Sequence, residues 1–166
     1  FAPSATIEDY PEIDLFGYMK TMAKDDNARG GASTRSAVAR LSNAISLEPY
    51  QGELEFLTNM GLAKRQNLDN GIAQSEIHRS YYAYTISVDL DRVGIDGEIN
   101  VSKEEKAKRV KTLLETVQYL YRDIRGRREN LSPLFIIGGN YERKNPFFEN
   151  IVKIDNNMIN VINSYL

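Results

Sequence analysis

A capped amphipathic stripe in the second half of the chain limits the fold more than any other feature. Ser102 followed by Glu105 is a capping box, in which each side chain can satisfy an orphan amide at a helix start. From there Ala107, Val110, Leu113, Leu114, Val117, Leu120, Tyr121 and Ile124 recur at helical spacing. Lys103, Glu104, Lys106, Lys108, Lys111 and Glu115 mostly fall on the other face. The pattern predicts one helix from Ser102 to about Arg125, with Gly126 as its stop. A long helix with one apolar stripe must lie on a second layer, and two flanking runs offer it. Tyr82, Tyr84, Ile86, Val88 and Leu90 alternate with Tyr81, Ala83, Thr85, Ser87 and Asp89, the period of a strand. Pro133 opens a second run, Leu134, Phe135, Ile136 and Ile137, closed by Gly138 and Gly139.

Signals elsewhere are shorter. Residues 1–12 read as an extended lead-in rich in Pro, Ser and acids. Asp14 to Met19 is an apolar block too short for periodicity to separate helix from strand. Lys24 to Arg35 is a polar loop holding Gly30 and Gly31. Ala37, Ala39, Leu41, Ile45 and Leu47 suggest a strand closed by Pro49, although Ala, Arg and Leu also accept a helix. Residues 51–75 carry one apolar piece, Leu54 to Leu57, followed by Asn, Gly, Asp, Lys and Arg, and read as a projecting hairpin-like insertion. The tail after Phe147 suits an edge strand and a short terminal helix. Together these predict an α+β fold in one domain, residues 1–166: a long helix on an antiparallel sheet, with an insertion. The order resembles a ferredoxin-like or RRM-like fold whose opening strand is missing, and a start at Phe1 reads as part of a longer chain.

Composition narrows the chemistry. The chain has no Cys, which excludes disulfides and thiolate metal sites, and its single His78 cannot build a multi-histidine site. No apolar run approaches the roughly 20 residues that span a bilayer, and a cytoplasmic protein is expected. The net charge of −2 argues against a uniformly basic nucleic-acid surface. Local basic series exist nonetheless: Arg29, Arg35 and Arg40; Lys64 and Arg65; and Arg122, Arg125, Arg127 and Arg128. Each taken alone is more often a solvated surface than a binding site.

Catalytic patterns are weak. Asp89 and Asp91 share a strand face and suit a metal in the manner of two-metal palm enzymes, but no third carboxylate is spaced to help. There is no phosphate-binding glycine loop ending in Lys-Ser or Lys-Thr, and no nucleophile elbow. No catalytic residue, metal or cofactor is expected. Gly138, Gly139 and Asn140 follow an apolar run, where glycines let a backbone approach a ligand and offer amides to a phosphate. An ordinary turn explains them equally well. The loop from Arg29 to Arg35 adds cationic and hydroxyl donors, groups that hold a nucleic-acid backbone without reading bases.

Several segments, taken in order, carry a family likeness. They are Asp14 to Met19, Arg35 to Val38, Ala44 to Leu47 with Pro49 and Tyr50, Glu76 to Tyr82, and Asp89 to Gly94. With Gly138, Gly139 and Asn140 they resemble the DevR-type CRISPR-associated proteins, the Cas-seven backbone subunits of type I Cascade surveillance complexes. The resemblance runs from about Asp14 to Asn150. It implies an RRM-like palm, with copies stacked head to tail along CRISPR RNA, other Cascade subunits as partners, and target DNA reached through the guide. It implies no nuclease activity and no membrane. Carried onto this chain, Arg29, Arg35 and Arg40 become phosphate contacts, and Gly138, Gly139 and Asn140 the glycine loop at the guide. Residues 53–75 become the thumb candidate, with Leu57, Met60 and Leu62 as its apolar side chains. From the residues alone, two other classes stay open: a ferredoxin-like regulatory or ligand-binding domain, and a palm-type metal-dependent nucleotidyl enzyme using Asp89 and Asp91.

Overall fold

A computed structural model describes residues 2, 4–21, 31–67, 69, 71–124, 126–156 and 158–162, apart from the Leu62 side chain. In chain order the elements are α1 (Pro11–Phe16), β1 (Tyr18–Thr21), β2 (Ala32–Arg35), β3 (Ala39–Leu41), β4 (Ile45–Ser46) and β5 (Gly52–Thr58). Then come α2 (Met60–Gln66), β6 (Ile72–His78), β7 (Tyr82–Ala83), β8 (Ile86–Val88), β9 (Ile95–Asp96) and β10 (Ile99–Asn100). The last are α3 (Lys103–Gln118), β11 (Tyr121–Ile124), β12 (Arg127–Asn130), β13 (Val152–Asp155) and β14 (Met158–Val161). The fold is α+β, built from antiparallel two-stranded ladders. The chain divides into two compact units, residues 1–42 with 86–148 and residues 43–85 with 149–166.

The first unit holds two apolar clusters. Leu15, Val38, Ala39 and Val93 are buried together, with Val88, Val110 and Leu113 packed against them. Helix α3 therefore rests, through Val110 and Leu113, on apolar side chains that β3 and β8 also supply. Those strands pair antiparallel with Ala39 opposite Val88 and Leu41 opposite Ile86. Ala5, Ile7 and Ile13 form the second cluster beside Tyr18 and Ile99. Helix α1 starts with Pro11 at a position where a missing amide costs nothing. It ends at Gly17, whose φ of +76° suits glycine and where a Cβ would overlap the Arg35 carbonyl. That close approach lets the chain turn from α1 directly into β1, which pairs with β2.

Helix α3 begins where the capping box placed it: the Ser102 hydroxyl accepts from the Glu105 amide at 3.2 Å. Its end is a correction. The helix stops at Gln118, and Tyr121 and Ile124, counted on the apolar stripe, belong to the β11–β12 hairpin instead. Both are exposed there, so no core rewards extending the helix. The expected strand at Leu134 to Ile137 is a second correction. That run joins no ladder, and Leu134 and Ile136 are 79% and 66% exposed. Helix α3 packs instead on the cluster of Leu15, Val38, Ala39 and Val93. The strand read over residues 82–90 is interrupted at Tyr84 and Thr85, and the one read over 37–47 at residues 42–44. β3 and β8 thus pair in the first unit, and β4 and β7 in the second.

In the second unit β5 and β6 form a hairpin in continuous register from Gly52 opposite His78 to Thr58 opposite Ile72. Helix α2 fills its distal end, closed by Asn67 in a left-handed conformation. The Asn59 side chain accepts from the Gly71 amide at 2.7 Å and ties the two ends of that connection together. The tail forms the β13–β14 hairpin rather than an edge strand and a helix through residues 152–161. Its turn contains Asn156 at φ +48°, a conformation that asparagine tolerates better than most residues.

Candidate functional site

The residues read as phosphate contacts separate in the structure. Arg29 lies outside the described residues. Arg35 ends β2 with its guanidinium turned inward, its side chain only 4% exposed. Its Nη2 donates to Asp14 Oδ1 at 2.6 Å and to the Arg92 carbonyl at 3.2 Å. Its Nη1 donates to the Ile95 carbonyl at 2.6 Å and lies 3.4 Å from the Asp96 carboxylate, while Nε donates to the Asp14 carbonyl at 3.3 Å. A guanidinium has five N–H donors in a fixed fork, and this one is committed to the protein on every side. The position expected to touch phosphate is thus an internal fastener.

Arg35 belongs to a buried ionic centre. Asp14 has no exposed surface, and its Oδ2 accepts from Arg109 Nη1 at 2.9 Å and from the Gly94 amide at 2.8 Å. Arg109 also donates through Nε to Glu105 at 3.0 Å. Burial works against the Arg109 charge, but its hydrogen bonds to Asp14 and Glu105 outweigh that and raise its pKa above the ordinary guanidinium value. The centre joins α1, β2, the turn before β9, and α3. Sequence reasoning missed Asp14 and Arg109. One acid in an apolar block and one base four residues before Leu113 of the stripe were the signals available.

Arg40 is placed differently. Half its side chain is exposed, and its Nη1 meets Asp89 Oδ2 at 3.0 Å. Arg92 approaches the same oxygen at 3.7 Å. Two guanidinium groups on one carboxylate leave a local excess of positive charge facing water. Asp89 is 7% exposed, and these two cations balance its buried charge from the water side. Asp91 is exposed and bonded to Lys144 at 2.7 Å, and that bond, foremost, holds its carboxyl below the usual aspartate range. Each carboxylate of the candidate metal pair is therefore already balanced by a cation. Among the described residues no cluster of three or more His, Asp or Glu side chains could hold a metal ion.

Gly138, Gly139 and Asn140 lie in the first unit in an exposed run without regular structure. None of the three has a hydrogen-bond partner among the described residues. Neither glycine adopts a positive φ. A Cβ at Gly138 would stand in open space, and one at Gly139 would meet only the ring end of Tyr141. The backbone here does not need glycine for its own conformation. What the glycines leave is bare, accessible amides that can donate to an anion.

The thumb candidates belong to the second unit. Leu57 is on β5 at 45% exposure and Met60 on α2 at 64%. Leu62 is on α2, and its side chain lies outside the described residues. Leu54, Phe56 and Ile72 are exposed as well, at 59%, 68% and 71%. At the base of this hairpin His78 is hydrogen-bonded to the Tyr82 hydroxyl and packs 5.1 Å from the Tyr50 ring. The Tyr50 hydroxyl donates to Glu76, which raises its pKa.

No described helix is long and apolar enough to cross a membrane. Comparison with curated proteins and with solved structures finds no match. A family profile does match, described as the CRISPR-associated negative auto-regulator DevR/Csa2, and it covers residues 2–161. That span takes in both units, so the chain belongs to the DevR/Csa2 family of CRISPR-associated proteins.

Proposed function

We propose that this chain is a CRISPR RNA-binding backbone subunit of a type I Cascade complex, acting in the cytoplasm in antiviral defence without catalysing a reaction. In this reading the first unit, with α3 packed on the cluster around Val38 and Ala39, serves as an RRM-like palm. The β5–β6 hairpin with α2 serves as the thumb. Copies of the chain stack head to tail along the guide, other Cascade subunits cap the stack, and target DNA is reached by pairing with the guide.

Family membership supports the CRISPR role. The observation that carries the RNA reading is the run Gly138, Gly139 and Asn140, exposed and without hydrogen-bond partners among the described residues, where glycine serves no conformational need. Backbone amides bind phosphate oxygens without reading sequence, which suits a subunit whose specificity is delegated to base pairing. Arg40 adds a cationic side chain with donors to spare. Arg35 supports the palm from within. The exposed apolar side chains of the second unit fit surfaces that meet a neighbouring copy or a base.

The test is what the chain retains on purification from cells that express a CRISPR array. Bound RNA gives a high ratio of absorbance at 260 to 280 nm that falls on ribonuclease treatment. A protein-only spectrum from such cells contradicts the reading.

A further inference from the structure

The arginine side chains of the first unit lead to one further surface. Arg35 and Arg109 are spent on Asp14, Arg40 and Arg92 on Asp89, and Arg128 on Asp123. The side chains of Arg122 and Arg127 have no hydrogen-bond or ion-pair partner among the described residues, and neither does that of Arg143 elsewhere in the unit. Both lie on the β11–β12 hairpin, all of whose described residues are exposed.

Register sorts the hairpin into two faces. Tyr121 stands opposite Asn130 and Asp123 opposite Arg128, while Arg122 stands opposite Glu129 and Ile124 opposite Arg127. Residues directly opposite share a face. On the first face Arg128 grips Asp123 through Nε at 2.9 Å and Nη2 at 3.2 Å, and its guanidinium lies 4.6 Å from the Tyr121 ring centre. That face is closed on itself. The second face presents Arg122 and Arg127 as diagonal neighbours, with backbones about 7–8 Å apart, beside Ile124 and a single carboxylate, Glu129, opposite Arg122. Residues 121–130 hold four arginines against two acids in a chain of net charge −2, so the cationic character is local. Tyr119, at the root of the hairpin, is 71% exposed.

We propose that the face carrying Arg122 and Arg127 is a second contact surface for the phosphate backbone of single-stranded nucleic acid. Guanidinium forks match phosphate oxygens two at a time, and exposed aromatic rings near such forks suit unpaired bases. The choice of nucleic acid over an acidic protein rests on the function proposed above. The site itself is distinct from Arg40 and the glycine run.

The test is binding of a labelled oligouridylate by the full chain across a series of salt concentrations. Losing both arginines in Arg122→Ala/Arg127→Ala should lower the slope of log affinity against log salt by about 1.4, two contacts at about 0.7 each. The corresponding double Lys variant should keep the slope, and Arg128→Ala on the closed face should leave it unchanged. Circular dichroism confirms that each variant is folded. An unaltered slope in the double Ala variant, while Arg40→Ala still lowers it, overturns this proposal and leaves the main reading standing. Failure of the intact chain to bind oligouridylate overturns both. Binding of labelled polyglutamate that the double Ala variant loses, with the RNA slope intact, assigns the face to an acidic protein and overturns the proposal.

Discussion

Asp14 and Arg109 stand 95 positions apart in the chain and meet at 2.9 Å in the interior of the first unit. Arg35 and the Gly94 amide complete the shell around the same carboxylate. A carboxylate without exposed surface is tolerable only when such partners surround it. This contact holds α3 against α1 and fixes the frame on which the exposed residues of the first unit are displayed.

Removing that carboxylate leaves two buried guanidinium groups without their shared counter-charge. Asp14→Ala should therefore lose about 3–5 kcal/mol of folding stability, the usual cost of breaking a buried pair from one side. Urea denaturation measures it. A loss below about 1 kcal/mol would show that the arginines find other partners.

The glycines separate structure from function. Gly94 has φ +70° and a Cβ there would overlap Val101, so Gly94→Ala should cost about 2 kcal/mol or more. Gly138→Ala should stay within about 0.5 kcal/mol of the intact chain, because nothing lies near its Cβ position. Thermal unfolding of the two variants checks the contrast. Equal losses in both would remove the case that Gly138 is kept free for a ligand.

Asp91 offers a pH-dependent check. Its folded pKa is depressed, chiefly by the Lys144 bond. Such a group stabilises the fold above its unfolded pKa and loses that contribution as pH falls through the folded value. The pair is exposed, so the visible effect is a titration midpoint rather than a change in unfolding. In Lys144→Gln the Asp91 carboxyl midpoint, followed by NMR, should rise toward the ordinary aspartate value. An unmoved midpoint contradicts the assigned cause.

The exposed apolar side chains of the second unit should be cheap to lose from the folded chain. Leu57→Ser and Met60→Ser should each change stability by less than about 1 kcal/mol, since both are exposed, at 45% and 64%. Sedimentation should show weaker assembly of copies on RNA. A stability loss above about 2 kcal/mol would place them in a core instead.

Local signals were legible in the sequence and distant ones were not. The capping box at Ser102 and Glu105 involves neighbours in the chain, and it located the start of α3. The end of α3 was misplaced because Tyr121 and Ile124 continue helical spacing by chance, while the hairpin forms around Gly126 at φ +76°. Leu134 to Ile137 has the composition of a strand, but a strand exists only beside a partner, and composition does not say whether one is there. Arg35 looked like its surface neighbours because burial depends on Asp14, Ile95 and Asp96, which lie 21, 60 and 61 positions away. Gly138 and Gly139 were legible as glycines. That they are exposed, without hydrogen-bond partners among the described residues and free of positive φ required the structure.

The most direct measurement is a salt titration of RNA binding with two RNAs of unrelated sequence, using the intact chain, Arg40→Ala and Gly139→Val. Phosphate contacts carry no base information, so Arg40→Ala should weaken both RNAs by similar factors and lower the slope of log affinity against log salt by about 0.7. Gly139→Val should weaken both RNAs by blocking approach to the bare amides, with little change in slope. Loss confined to one RNA, or an unchanged slope in Arg40→Ala, would contradict a chain that holds its guide by the backbone.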